Sequence, residues 1–165
     1  MEIAMSATPN RASQPAGKSK RKSVSHDLPT ARQMLPLVKV IITEVVDQHE
    51  RLAKLAPERD TLEEYRRSLT WESRRRRYAL NDEMTEAEKV LAGASAELES
   101  LGVALVDPAV GQVDFPTRIN GRPAAFSWQL GEDSLGHWHY SGEATRRTIP
   151  AEWQTGTALR MRAEP

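Results

Sequence analysis

Cysteine is missing from this 165-residue chain. Disulfides, thiolate zinc sites and cysteine nucleophiles go with it, and a reducing or redox-indifferent compartment, the cytoplasm, is the expected setting. An excess of one charge is missing too, since 23 Lys+Arg stand against 23 Asp+Glu. No global field draws the chain to nucleic acid or an anionic membrane, so any such attraction has to be local. Aromatic residues make up only 5%, which leaves the core to aliphatic side chains and favours helix. No apolar run approaches the roughly 20 residues of a membrane span, and Met1–Ala4 is not the apolar region of a signal peptide. Glycine-rich phosphate loops, nucleophile elbows and paired-carboxylate spacings are also lacking, so the motifs argue against an enzyme and for no cofactor.

What is present begins with residues 1–27, rich in Ser, Pro, Ala and Lys and without aliphatic periodicity. Such a segment cannot bury enough surface to offset the entropy of ordering and reads as a disordered tail, with one basic cluster at Lys18, Lys20, Arg21 and Lys22. From Leu28 the character changes. Ala31, Leu35, Val38, Ile42, Val45, His49 and Leu52 recur at alternating steps of four and three, a heptad stripe. Met34, Ile41 and Val46 widen it, as in a helix packed against more than one neighbour. His49 reads as a core or boundary residue, and Pro36 as a kink or restart of the helix. Ala56-Pro57 predicts a turn, because the residue before a proline is driven from the helical region. A second helical pattern runs from about Glu58 to Leu101, with Gly102 ending it in the left-handed position. The two helices would be ~39 and ~66 Å long at 1.5 Å per residue. The eleven-residue step from Leu69 to Leu80 adds a phase slip, and a break at Asn81-Asp82, able to cap a third helix, would relieve both.

Charge on the second pattern is segregated. Arg66, Arg67, Arg74, Arg75, Arg76 and Arg77 stand against Glu72, whereas Asp82 to Glu99 holds six acids against Lys89. Four consecutive arginines sweep about 300° of a helix, so they cannot share one solvent face and the segment is expected to project from the core. With Trp71 and Tyr78 beside it, this is a candidate patch for nucleic acid or an acidic partner. The plainer alternative is an exposed hairpin tip, since the folded part carries no second basic element to extend a phosphate track.

After Gly102 the period shortens to two: VALV at 103–106, Val113 and Phe115, Phe126 with Trp128 and Leu130, then Trp138 and Tyr140. Asn120-Gly121 predicts a two-residue hairpin turn, LGEDSLG the next reversal, and Pro116 an edge or strand end. Beyond Gly142 loop is expected, with one more short element and fraying over 156–165. The fold expected is α+β in a single domain over 28–155. A long antiparallel helical hairpin, or three helices if it breaks, precedes a three- or four-stranded antiparallel meander.

These strands carry a resemblance. Val113-Asp114-Phe115-Pro116, then Trp128 with Leu130-Gly131-Glu132, then Trp138-His139, then Gly142 with Arg146 follow one another in order. In this the chain resembles the uncharacterised prokaryotic family called domain of unknown function 2203, in which a helical hairpin precedes a small sheet. The resemblance covers about residues 30–155 and is specific in the last third. It implies architecture and candidate positions without a reaction. His137 has no counterpart in the pattern. His137 and His139 share a strand face, but a stable metal site wants a third or fourth ligand and only Asp114 or Glu132 is on offer. HWHY at 137–140 therefore reads as the packed end of a sheet, with no metal expected. Asp114, Glu132, His139 and Arg146 around Trp128 and Trp138 form the other candidate patch. It is either a ligand or partner pocket, with proton transfer open to the Asp and His, or a structural network in which Arg146 ties the C-terminal loop to the sheet. The network reading is favoured.

Three functions follow in order. The first is a non-enzymatic protein-interaction module that meets an unidentified protein, or a second copy of itself, through the helical hairpin. The second is a nucleic-acid-associated factor using the six arginines and the basic tail. The third is a small ligand binder or enzyme at the Trp/His/Arg sheet face. No membrane partner is expected.

Overall fold

The structure, a computed structural model, describes residues 24–155; the basic cluster at Lys18–Lys22 and the C-terminal residues 156–165 lie outside the described residues. Two helices, α1 (Leu28–Glu64) and α2 (Trp71–Ser100), form an antiparallel hairpin. Asp27 caps α1, its carboxylate accepting the Thr30 amide at 2.8 Å, and satisfies one of the donors that a helix start leaves unpaired. The expected stripe is the buried one: Ala31, Leu35, Val38, Ile42 and Val45 are all in the core. It packs against Leu91, Ala94 and Leu98 of α2 and against the sheet, while Leu80, Met84 and Ala87 are buried nearer the hairpin turn. Because the stripe is covered within the monomer, it is not available for self-association.

The turn expected at Ala56-Pro57 does not form. α1 continues through Pro36 and Pro57 for 37 residues, and the reversal falls at residues 65–70. Both prolines lie on the exposed side, where water can solvate the carbonyl that each leaves without an amide. Leu52, Leu55 and Leu62 carry the half-buried seam past Pro57, and Arg76 and Arg77 of α2 bridge back to Glu58 and Glu63. Thr70 caps α2 by accepting the Ser73 amide at 3.2 Å. The break expected at Asn81-Asp82 is also absent, because Leu80 and Met84 lie on one continuous buried face. Leu69 belongs to the turn, so its eleven-residue distance from Leu80 is no slip within a helix. At 1.5 Å per residue the helices are about 56 and 45 Å long, and the length mismatch shrinks accordingly.

Five strands form an antiparallel meander in chain order: β1 (Ala104–Asp107), β2 (Gln112–Ile119), β3 (Arg122–Gln129), β4 (His137–Tyr140) and β5 (Arg147–Thr148). The sheet has more strands than expected because β5 pairs with β4 by two residues only, too few for a period. A 3-10 turn, Ala151–Thr155, follows and sets Trp153 against Trp138. The Asn120-Gly121 turn is present, with φ of 52° and 72°, the pair of left-handed residues that a twisted two-residue hairpin requires. Val113, Phe115, Phe126 and Trp128 face the helices and are fully buried.

Pro116 sits where β1 no longer flanks β2, and its carbonyl accepts the His26 amide at 2.7 Å. Its missing amide therefore faces the side without a strand partner. Residues 24–27, grouped with the tail in the sequence, are packed here. The His26 ring stands edge-on to Phe115 and its Nε2 lies 3.3 Å from the Gly102 carbonyl. Gly102 has φ of 71°, and a Cβ there would fall 2.7 Å from Val24 Cγ1, so glycine is required for both backbone and space.

Candidate functional site

Two groups of side chains carry the chemistry. The first lies on the sheet face turned away from the helices. Pairing sets Asp114 opposite Ser127 and Ser127 opposite His137, with His139 two residues further along the same face. His139 Nε2 is 2.9 Å from Asp114 Oδ2 and its Nδ1 is 2.9 Å from the Tyr140 carbonyl oxygen. Both ring nitrogens are thus engaged by acceptors. Arg146 donates to the Ser127 hydroxyl and carbonyl, each at 3.1 Å, and to Glu132 Oε2 at 2.8 Å. Glu132 also accepts the Gln129 amide at 2.9 Å, and its other oxygen lies 3.3 Å from His137 Nδ1. Burial works to raise the Glu132 carboxyl, but the Arg146 hydrogen bond, the Gln129 amide and the neighbouring charges outweigh it and hold the group below its ordinary value.

This arrangement is closed on itself. Ser127 is fully buried beneath Arg146, and no nitrogen of His139 is left to take a proton from a substrate or to ligate a metal. Asp114 Oδ1 is the one exception, a buried oxygen without a partner. His137 and His139 share a face as expected, but each turns to a different carboxylate. Among the described residues no group of three or more metal-ligating side chains comes together. Trp128 and Trp138 are not beside the acid, imidazole and guanidinium, since strand alternation puts them on the helix-facing side. Trp128 takes part indirectly, its indole donating to the Glu132 carbonyl at 3.0 Å and fixing the loop that carries Glu132. Sequence reasoning missed Ser127, the hub. Counting back from the Asn120-Gly121 turn puts it opposite Asp114, a signal that was present in the sequence.

The second group is the hairpin tip. The six arginines divide. Arg76 makes a two-pronged bridge to Glu58 at 2.7 Å on each arm and reaches Glu83 at 3.1 Å, while Arg77 donates to Glu63 at 2.6 Å. The Arg76 hydrogen bonds hold the Glu58 carboxyl below its ordinary value. These two arginines join the helices. Arg66, Arg67, Arg74 and Arg75 are exposed and, among the described residues, have no carboxylate within ion-pair distance. Around them stand Trp71, Tyr78 and Tyr65, which are 72%, 64% and 55% exposed. The other six of the nine Phe, Trp and Tyr residues lie in the core, on the sheet or packed against it, whereas these three stand in or beside the hairpin turn.

No described helix is long and apolar enough to cross a membrane. No curated protein and no solved structure matches the chain. A family model does match it over residues 25–149, the span that holds the helical hairpin, the meander and the closed polar face, and the chain therefore belongs to the family described as an uncharacterized conserved protein, DUF2203.

Proposed function

We propose that the chain is a non-enzymatic interaction module in which the hairpin tip is the binding element and the sheet is scaffold. The observation that carries this reading is Trp71, the most exposed large apolar side chain of the described residues, standing among four arginines without carboxylate partners. Aromatic and arginine side chains are the residues that dominate binding energy at interfaces. The polar sheet face supports the same reading from the other side, because its acid, imidazole and hydroxyl groups are already paired with one another and leave no activated nucleophile or base. The zero net charge means that a polyanion would be met by this patch rather than by the whole molecule. A cytoplasmic setting fits the lack of cysteine.

Retention on immobilised heparin tests the reading. The intact chain is expected to be held at low salt, and Arg66→Glu/Arg74→Glu/Arg75→Glu to pass through with its melting temperature unchanged. Alanine at Lys18, Lys20, Arg21 and Lys22 is expected to leave most of the retention in place. Loss of retention in that second variant alone would move the binding element to the N-terminal segment and defeat the proposal.

A further inference from the structure

We infer that the tip binds single-stranded nucleic acid, with Trp71 and Tyr78 stacking on bases and Arg66, Arg67, Arg74 and Arg75 holding phosphates; this rests on the tip being the binding element. The geometry is that of one helix face. At 100° per residue Trp71, Arg74, Arg75 and Tyr78 fall within an arc of about 100°, roughly opposite the buried Leu80, Met84 and Ala87. Along the axis Trp71 and Tyr78 are about 10 Å apart, with the two guanidinium groups at intermediate levels. Two rings thus bracket two cations along a line, within reach of the bases and phosphates of one unpaired strand. Arg66 and Arg67 add two more exposed cations in the preceding turn, where Tyr65 adds a third exposed ring.

The competing partners fit less well. A duplex hides the base faces that Trp71 and Tyr78 would stack on. An acidic protein surface supplies carboxylates for the arginines but not the regular series of flat π-systems that an unpaired strand offers to two rings along one face. A bilayer would need aliphatic side chains on the arc, and Trp71, Arg74, Arg75 and Tyr78 include none. Nor is there a carboxylate inside the line to repel phosphate: the acids of residues 64–78 are Glu64 and Glu72. By helical angle Glu72 sits about 100° round from Trp71, at the flank.

Anisotropy with fluorescein-labelled U12 and dT12, on the full chain, tests this and separates RNA from DNA. With four phosphate contacts the logarithmic salt slope of a single strand is about −2.8, so affinity should fall about fifty-fold from 50 to 200 mM salt. Trp71→Ala should weaken binding about ten-fold with helical circular dichroism unchanged. Arg74→Ala/Arg75→Ala should reduce the slope by about 1.4. Arg51→Ala/Arg118→Ala, removing equal charge elsewhere, should change neither. No binding to either oligonucleotide at 50 mM salt, equal affinity for a 12-base-pair duplex, or indifference to Trp71→Ala would overturn the inference. Binding of polyglutamate or of phosphatidylserine vesicles in preference to U12 and dT12, through the same arginines, would overturn it too while leaving the tip as the binding element.

Discussion

Glu132 is held between opposed forces. Its partial burial favours the neutral acid, yet Arg146, the Gln129 amide and His137 favour the carboxylate and prevail. A group whose pKa is lower folded than unfolded contributes stability above the unfolded value, and that contribution disappears as pH falls through the folded one. The reference value is 4.5, so the window opens there and extends downward. Urea unfolding of the native chain and of Glu132→Gln should differ by about 1.5 kcal/mol at pH 7, the worth of a charge-assisted hydrogen bond over a neutral one. The difference should shrink steadily below pH 4.5. A gap that stays constant from pH 6 to pH 3 would mean that Glu132 gains nothing from its charge, and that the closed network on the sheet is held by its neutral hydrogen bonds alone.

At the scale of elements, the helices were legible in the sequence and their joint was not. The stripe from Ala31 to Val45 is buried as its spacing implies, and Gly102 and Asn120-Gly121 have the positive φ that their sequence roles require. Pro57 gives a strong local signal for a turn, whereas what overrides it is tertiary: Leu62 packing and the Glu58–Arg76 and Glu63–Arg77 bridges. The true cap, Thr70 on Ser73, was visible as a Thr followed by helix formers but lay inside a run that reads as helix. A proline in the interior of a helix removes a hydrogen bond and crowds the preceding turn. Pro57 is exposed, so burial of its ring does little to offset that cost. Pro57→Ala is therefore expected to raise unfolding free energy by about 1–3 kcal/mol, discounted for the stiffness that proline lends the unfolded chain. Pro29→Ala, at the helix start where the amide is unpaired anyway, should give almost nothing. If Pro57→Ala destabilises instead, the proline itself is needed to bring Glu58 and Glu63 onto α2.

For the molecule as a whole, the question is how a narrow sheet is held to a hairpin much longer than itself. The sequence told which residues alternate but not which face each set would take, because face depends on register, and register is set by the Asn120-Gly121 turn together with the apolar side finding the helices. Spacing alone therefore puts Trp128 in one group with His139, although the sheet lies between them. The docking is specified at one close approach. Gly111, in the turn between β1 and β2, has φ of 66°, and a Cβ there would lie 2.7 Å from Ile42 Cγ2, 2.9 Å from Leu130 Cβ and 3.0 Å from Val46 Cγ2. No relief is available from α1, since Ile42 is fully buried. Gly111→Ala should cost about 2–4 kcal/mol, a sum of left-handed strain of about 1 kcal/mol and overpacking of about 1–3 kcal/mol. Gly131→Ala supplies the comparison, with φ of 100° and nothing within 4 Å of its Cβ, so only backbone strain applies. Against a total stability of roughly 5–15 kcal/mol, the first substitution should move the urea midpoint visibly further than the second. Equal shifts would mean that the turn can lift from α1 without loss, and that the sheet is held by its buried aromatic face alone.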